Sequence, residues 1–154
     1  MPSCSGGARF AFYIFHRLFQ ASDYPENISV TEKPTWTLLL IDPQPMSRST
    51  LKRQLEYYGY AVREADSGRA GLQLFQQHSR EIDLTILDMG ISDAPGAKVL
   101  EVLNKLNPNI KTVLVTEQSA TEGRDIPQGV VGVLKKPVRT DRLLALVGKG
   151  LGRN

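Results

Sequence analysis

The chain has 154 residues, 41% of them hydrophobic, and a net charge of +3 at neutral pH, which suits one globular domain of ordinary size plus a tail. Its basic residues are scattered, with Lys52-Arg53 and Lys135-Lys136 the only adjacent pairs, so no stripe marks a nucleic-acid surface. The single cysteine, Cys4, excludes an intramolecular disulfide and has no companions at metal-ligand spacing, which fits a cytosolic, reducing compartment. No apolar run approaches the roughly 20 residues of a transmembrane segment.

Residues 1–35 stand apart from the rest. Four of the five phenylalanines (Phe10, Phe12, Phe15 and Phe19) lie there, and a short helix over residues 8–20 is expected. Apolar nearly all round, it would need a partner surface or a membrane interface, and self-association through it is one expectation. Alternatives are a non-native start, a linker fragment or a helix folded back on the domain. Residues 22–34 read as a polar linker holding Pro25 and Pro34.

From residue 36 the pattern becomes regular. Residues 37–42 read as a buried strand, and residues 47–58 as a helix with Leu51, Leu55 and Tyr58 at helical spacing, Ser47 as N-cap and Gly59 as stop. A second strand spans 60–65. The turn Asp66-Ser67-Gly68 opens a helix that carries Leu72 and Phe75 inward. A third strand, 83–88, precedes a helix over 97–107 with Val99, Leu100, Leu103 and Leu106 on one face. A fourth strand covers 110–116 and a fifth 130–134. Between them, residues 117–128 read poorly as a helix, because Gly123 and Pro127 interrupt them and Ile126 is their only large apolar side chain. A loop or a single short turn is expected there. The last helix starts near Thr140-Asp141 and buries Leu143, Leu144 and Val147. Five apolar strands alternating with helices predict a doubly wound parallel α/β sheet, and order 2-1-3-4-5 is the expected one.

In such a sheet the strand ends share one rim, where ligands and chemistry gather. Four polar residues close apolar runs: Asp42, Asp88, Thr116 and Lys136. Two carboxylates, a hydroxyl and an ammonium are thus expected in one pocket. Taken with Gly96 eight residues after Asp88, Pro137 after Lys136, and the runs Leu51-Lys52-Arg53-Gln54-Leu55 and Gly59-Tyr60-Ala61-Val62, they resemble the receiver domain of two-component response regulators. The resemblance covers residues 36–151, leaving 1–35 as an appendage and 152–154 as a tail.

The resemblance implies a flavodoxin-like fold and a phosphorelay role rather than enzymatic activity. Asp88 would accept a phosphoryl group from a histidine kinase or phosphotransfer protein, with Lys136 and Thr116 contacting the phosphoryl oxygens. Mg2+ would be held by Asp88, the Gly90 carbonyl and an acidic pair on the first strand. That pair is here Asp42-Pro43, and proline offers no side-chain oxygen. Tight Mg2+ binding is therefore not expected. Lys136 could instead bridge Asp42 and Asp88 in a fixed ion cluster. Ile91-Ser92 stands where the family usually has Met-Pro, and Val133 where it has a switching aromatic ring.

The chief alternative is a pseudo-receiver that docks on proteins without phosphorylation. A flavodoxin-like nucleotide or flavin binder is weaker, since Pro43 and Pro45 occupy the place of a phosphate-cradling glycine loop. The Gly148-Lys149-Gly150 run follows a helix rather than a strand and reads as a frayed tail. His16 and His78 have no carboxylate or cysteine companion at ligand spacing, and no nucleophile-elbow serine supports a hydrolase. No effector follows the last helix, so output through protein contacts, or membership in a larger protein, is expected.

Overall fold

The computed structural model describes residues 35–118 and 125–153. The aromatic segment at 8–20 and the linker after it lie outside them. In chain order the elements are β1 (Thr37–Ile41), α1 (Pro45–Tyr57), β2 (Ala61–Ala65), α2 (Gly68–His78), β3 (Ile82–Asp88), α3 (Gly96–Leu106), β4 (Lys111–Thr116), β5 (Val130–Lys135) and α4 (Thr140–Gly150). The strands form one sheet in the order β2-β1-β3-β4-β5, and every pairing is parallel.

Strand side chains alternate between faces, and both faces are covered, which explains the nearly unbroken apolar runs. Leu38 and Leu40 of β1 join Leu84 and Ile86 of β3 under α1 and α4, which contribute Leu51, Leu55, Leu143 and Val147. Leu39 and Ile41 face the other way, with Leu87, and meet Phe75 of α2 and Val99, Leu100 and Leu103 of α3. Each such fully buried side chain stabilises the fold by roughly 1.5–3 kcal/mol relative to exposure. The core is therefore two layers deep, and the sheet's carboxyl edge is left for polar residues.

Details of the elements differ from the sequence reading. The first helix begins two residues before Ser47: Gln44 is its N-cap, with extended backbone, and Pro45 occupies the first turn. Proline suits that position because its fixed φ is already helical and its missing N–H is not needed there. Ser47 is thus inside the helix, and its hydroxyl is used elsewhere. The helix gives way at Gly59, whose φ of 92° favours glycine. Ser67 does cap α2, its hydroxyl accepting from the Ala70 N–H at 3.2 Å. Leu106, expected on the buried face of α3, is 43% exposed. It is the last helical residue, where the chain turns into extended Asn107. His78 is not isolated: its Nδ1 lies 3.5 Å from Glu81, which also pairs with Arg63 at 2.7 Å. Of the stretch 117–128, residues 119–124 lie outside the described residues, and the rest carry no helix.

Gly71 marks a tight approach of a helix to the sheet. A Cβ there would sit 2.4 Å from Cδ1 of Ile41, so α2 reaches β1 only because that position has no side chain.

Candidate functional site

Parallel register brings the strand ends level. Ile41 pairs with Leu87, Asp88 with Val115, and Thr116 with Lys135. The ladder continues one residue past the strands: the N–H groups of Asp42, Met89 and Lys136 donate to the carbonyls of Ala65, Val115 and Thr116. The four residues singled out from sequence therefore stand along one rim. Asp42 is 1% exposed and Asp88 3%.

The charged groups meet at Lys136. Its ammonium donates to Asp88 Oδ2 at 2.5 Å and lies 3.8 Å from Asp42 Oδ2. Its own side chain is only 14% exposed, so this is a largely desolvated triad of two carboxylates and one cation. Such a triad costs desolvation energy that the pairing must offset, and it leaves a formal charge of minus one in the pocket. The Lys136–Pro137 peptide bond is cis.

Each carboxylate has further partners. Asp88 Oδ1 accepts from the Gly90 N–H at 2.7 Å. Asp42 Oδ1 accepts from the Gln44 N–H at 2.8 Å, and its Oδ2 from the Ser47 hydroxyl at 2.5 Å. Arg48 donates to the Asp42 carbonyl at 2.7 Å. Asp42 is thereby fastened to the first turn of α1, where an anion is favoured by the helix's free N–H groups. The sequence signal for this arrangement was present in Pro45: a helix starting there puts Gln44 and Ser47 within reach of Asp42. Thr116 sits at the mouth, partly buried, and its Oγ1 accepts from the Gln118 N–H at 3.2 Å. Beside it Gln44 donates to Glu117 across the rim at 3.2 Å. An open groove of about 600 Å3 runs alongside, lined by Met46, Ser47, Thr50, Glu117 and Lys136 among others.

The loop after Asp88 is anchored by Asp93, which no motif or spacing in the sequence singles out. Asp93 accepts from the N–H groups of Gly68 and Arg69 at 2.8 Å each, so it closes the N-terminus of α2 from a different loop. The Arg69 and Gly68 N–H groups hold its carboxyl below the ordinary aspartate range. Ile91, in the same loop, is buried in the core beneath α2 and α3. Val133, at the position of the family's aromatic ring, is 38% exposed.

The donor set does not suit Mg2+. This ion demands near-ideal octahedral oxygen ligands. Among the described residues no group of three or more acidic, histidine or cysteine side chains could hold a metal. All four oxygens of the two carboxylates already have protein partners, and Pro43 supplies none.

The family model described as response regulator receiver domain matches residues 38–148. The transcriptional regulatory protein ZraR of Escherichia coli O157:H7 is 30% identical over 116 residues, covering 74% of this chain and 26% of that protein. The sensor kinase CckA of Brucella abortus is 29% identical over 113 residues, covering 72% of this chain and 12% of its own length. The chain thus spans about a quarter or less of these relatives. Among solved structures, a response regulator receiver domain protein from Clostridium thermocellum superposes with a TM-score of 0.71 at 24% identity, over 76% of this chain and 94% of that one. The response regulator TrrA from Thermotoga maritima, solved in complex with Mg2+–BeF, gives 0.68 at 27% identity over 76% and 100%. No helix among the described residues is long and apolar enough to cross a membrane. A five-stranded parallel sheet whose rim gathers Asp42, Asp88, Thr116 and Lys136, matched over 38–148, places this chain in the response regulator receiver domain family of two-component signalling.

Proposed function

We propose that residues 36–151 receive a phosphoryl group on Asp88 from a phosphohistidine of a histidine kinase or phosphotransfer partner. The observation that carries this reading is the buried Asp88 carboxylate with the Lys136 ammonium 2.5 Å away. An oxygen of Asp88 attacks phosphorus, the P–N bond breaks, the electron pair leaves with the imidazole, and an acyl phosphate forms. Little covalent help is needed from the protein; positioning and charge neutralisation dominate. The Gly90 N–H fixes the carboxylate through Oδ1. Lys136 then follows the incoming charge as a point cation, and Thr116, on the adjacent strand end, donates its hydroxyl to a phosphoryl oxygen. The groove beside Lys136 gives the donor a line of approach.

A second reading is favoured by Pro43 and by the paired state of both carboxylates: a docking module that works unphosphorylated. Intact mass measurement after acetyl phosphate treatment, beside Asp88→Asn, separates them. A gain of one phosphoryl mass in the wild type alone is expected. No gain over the Asp88→Asn control sinks the phosphoacceptor reading.

A further inference from the structure

Asp42 has been turned into a structural anchor. Its two oxygens accept from the Gln44 N–H and the Ser47 hydroxyl, and its carbonyl accepts from Arg48, so all three contacts tie it to the start of α1. It is 1% exposed, which leaves water little access to relay a more distant ion. The following residue, Pro43, has no oxygen to offer in its place. On the other side, the Asp88 oxygens are held by the Gly90 N–H and by Lys136, and the same ammonium stands 3.8 Å from Asp42.

From this geometry we infer that the pocket has no divalent-cation site: Lys136 is its resident counter-ion, and Asp42 serves α1 instead of a metal. A divalent ion would have to break carboxylate hydrogen bonds that α1 uses, and it would arrive beside a cation already neutralising one of the two charges. With one carboxylate fewer than a Mg2+ site of this shape draws on, that exchange is unfavourable. The inference concerns the same pocket as the proposed phosphoacceptor, but it holds whether or not Asp88 is modified.

The test is a titration of the full chain, labelled with 15N, with Mn2+ and Mg2+. The readouts are paramagnetic broadening by Mn2+ and saturable shifts by Mg2+ at the amides of Gln44, Met89 and Gly90. The wild type is expected to show neither at millimolar metal. Pro43→Asp, which restores a carboxylate beside Asp42, is expected to show both, with affinity raised about tenfold or more. Saturable shifts in the wild type overturn the inference. So does a Pro43→Asp protein that keeps the wild-type circular dichroism yet binds no better. Should that variant not fold, the wild-type titration decides alone. The phosphoacceptor reading fails separately, by absence of a mass gain, and leaves this titration untouched.

Discussion

At the scale of single residues, Lys136 is the cation that pairs with both carboxylates among the described residues, and removing it takes that pairing from two buried charges. Lys136→Met is expected to destabilise the domain by about 3 kcal/mol at neutral pH, measured by urea unfolding. Adding Asp88→Asn should recover a large part of that loss, because it removes one of the stranded charges; a double variant as unstable as the single one contradicts the triad. Asp83 offers a pH test. Burial pushes its carboxyl above the ordinary aspartate value, and the Thr37 N–H that it accepts offsets this only in part. A folded pKa above the unfolded one means the native state holds the proton more tightly. The stabilising contribution of the neutral acid is thus present below the unfolded pKa and lost as pH rises through the folded one. Asp83→Asn, which keeps a carbonyl oxygen for Thr37, is expected to flatten that part of the stability–pH curve and to be neutral or slightly stabilising at pH 7.

At the scale of elements, two close contacts decide whether helices and strands seat correctly. Gly71 lets α2 lie against Ile41, and Gly71→Ala is expected to cost about 1–3 kcal/mol by overpacking, seen as a lowered urea midpoint with unchanged slope. Between β3 and β4 the hydroxyls of Thr85 and Thr112 face each other at 2.6 Å with no exposure. Replacing Thr85 by valine strands the Thr112 hydroxyl, at about 1–3 kcal/mol, whereas replacing Thr112 leaves the Thr85 hydroxyl its 3.4 Å bond to the Lys111 carbonyl and costs less. The double replacement is expected to cost clearly less than the two singles summed, which a double-mutant cycle in urea reads directly. Strands such as β3 were legible in the sequence because burial on both faces leaves an apolar run closed by a polar residue. The start of α1 was not, because Ser47 looks like a cap until Pro45 is given its place in the first turn. Leu106 misled for a similar reason: helical spacing assigns a face but does not say where the neighbouring sheet stops.

At the scale of the whole molecule, the rim was readable from sequence because parallel topology forces strand ends together, whatever lies between them in the chain. What the sequence did not disclose is how the pocket is wired. Asp93 tied to α2 depends on loop geometry that spacing does not encode, and Asp42 turned toward α1 follows only once Pro45 is given its place at the helix start. Pro43 showed that the acidic pair had changed; the hydrogen bonds of Gln44 and Ser47 show what Asp42 does in its place. The bond from Asp93 to the Gly68 and Arg69 amides carries a practical corollary. Those two hydrogens sit on one element but are guarded by a side chain borne on the segment that leaves Asp88, so they can trade with solvent only when that segment lets go. Their exchange times therefore act as a clock for the loop. Asp93→Ala should speed both while leaving Phe75 and its neighbours, deeper in the same helix, at their original pace. Acidifying far enough to protonate the lowered Asp93 carboxyl should likewise reduce the protection of both amides in the intact chain, measured against the intrinsic exchange rate at each pH.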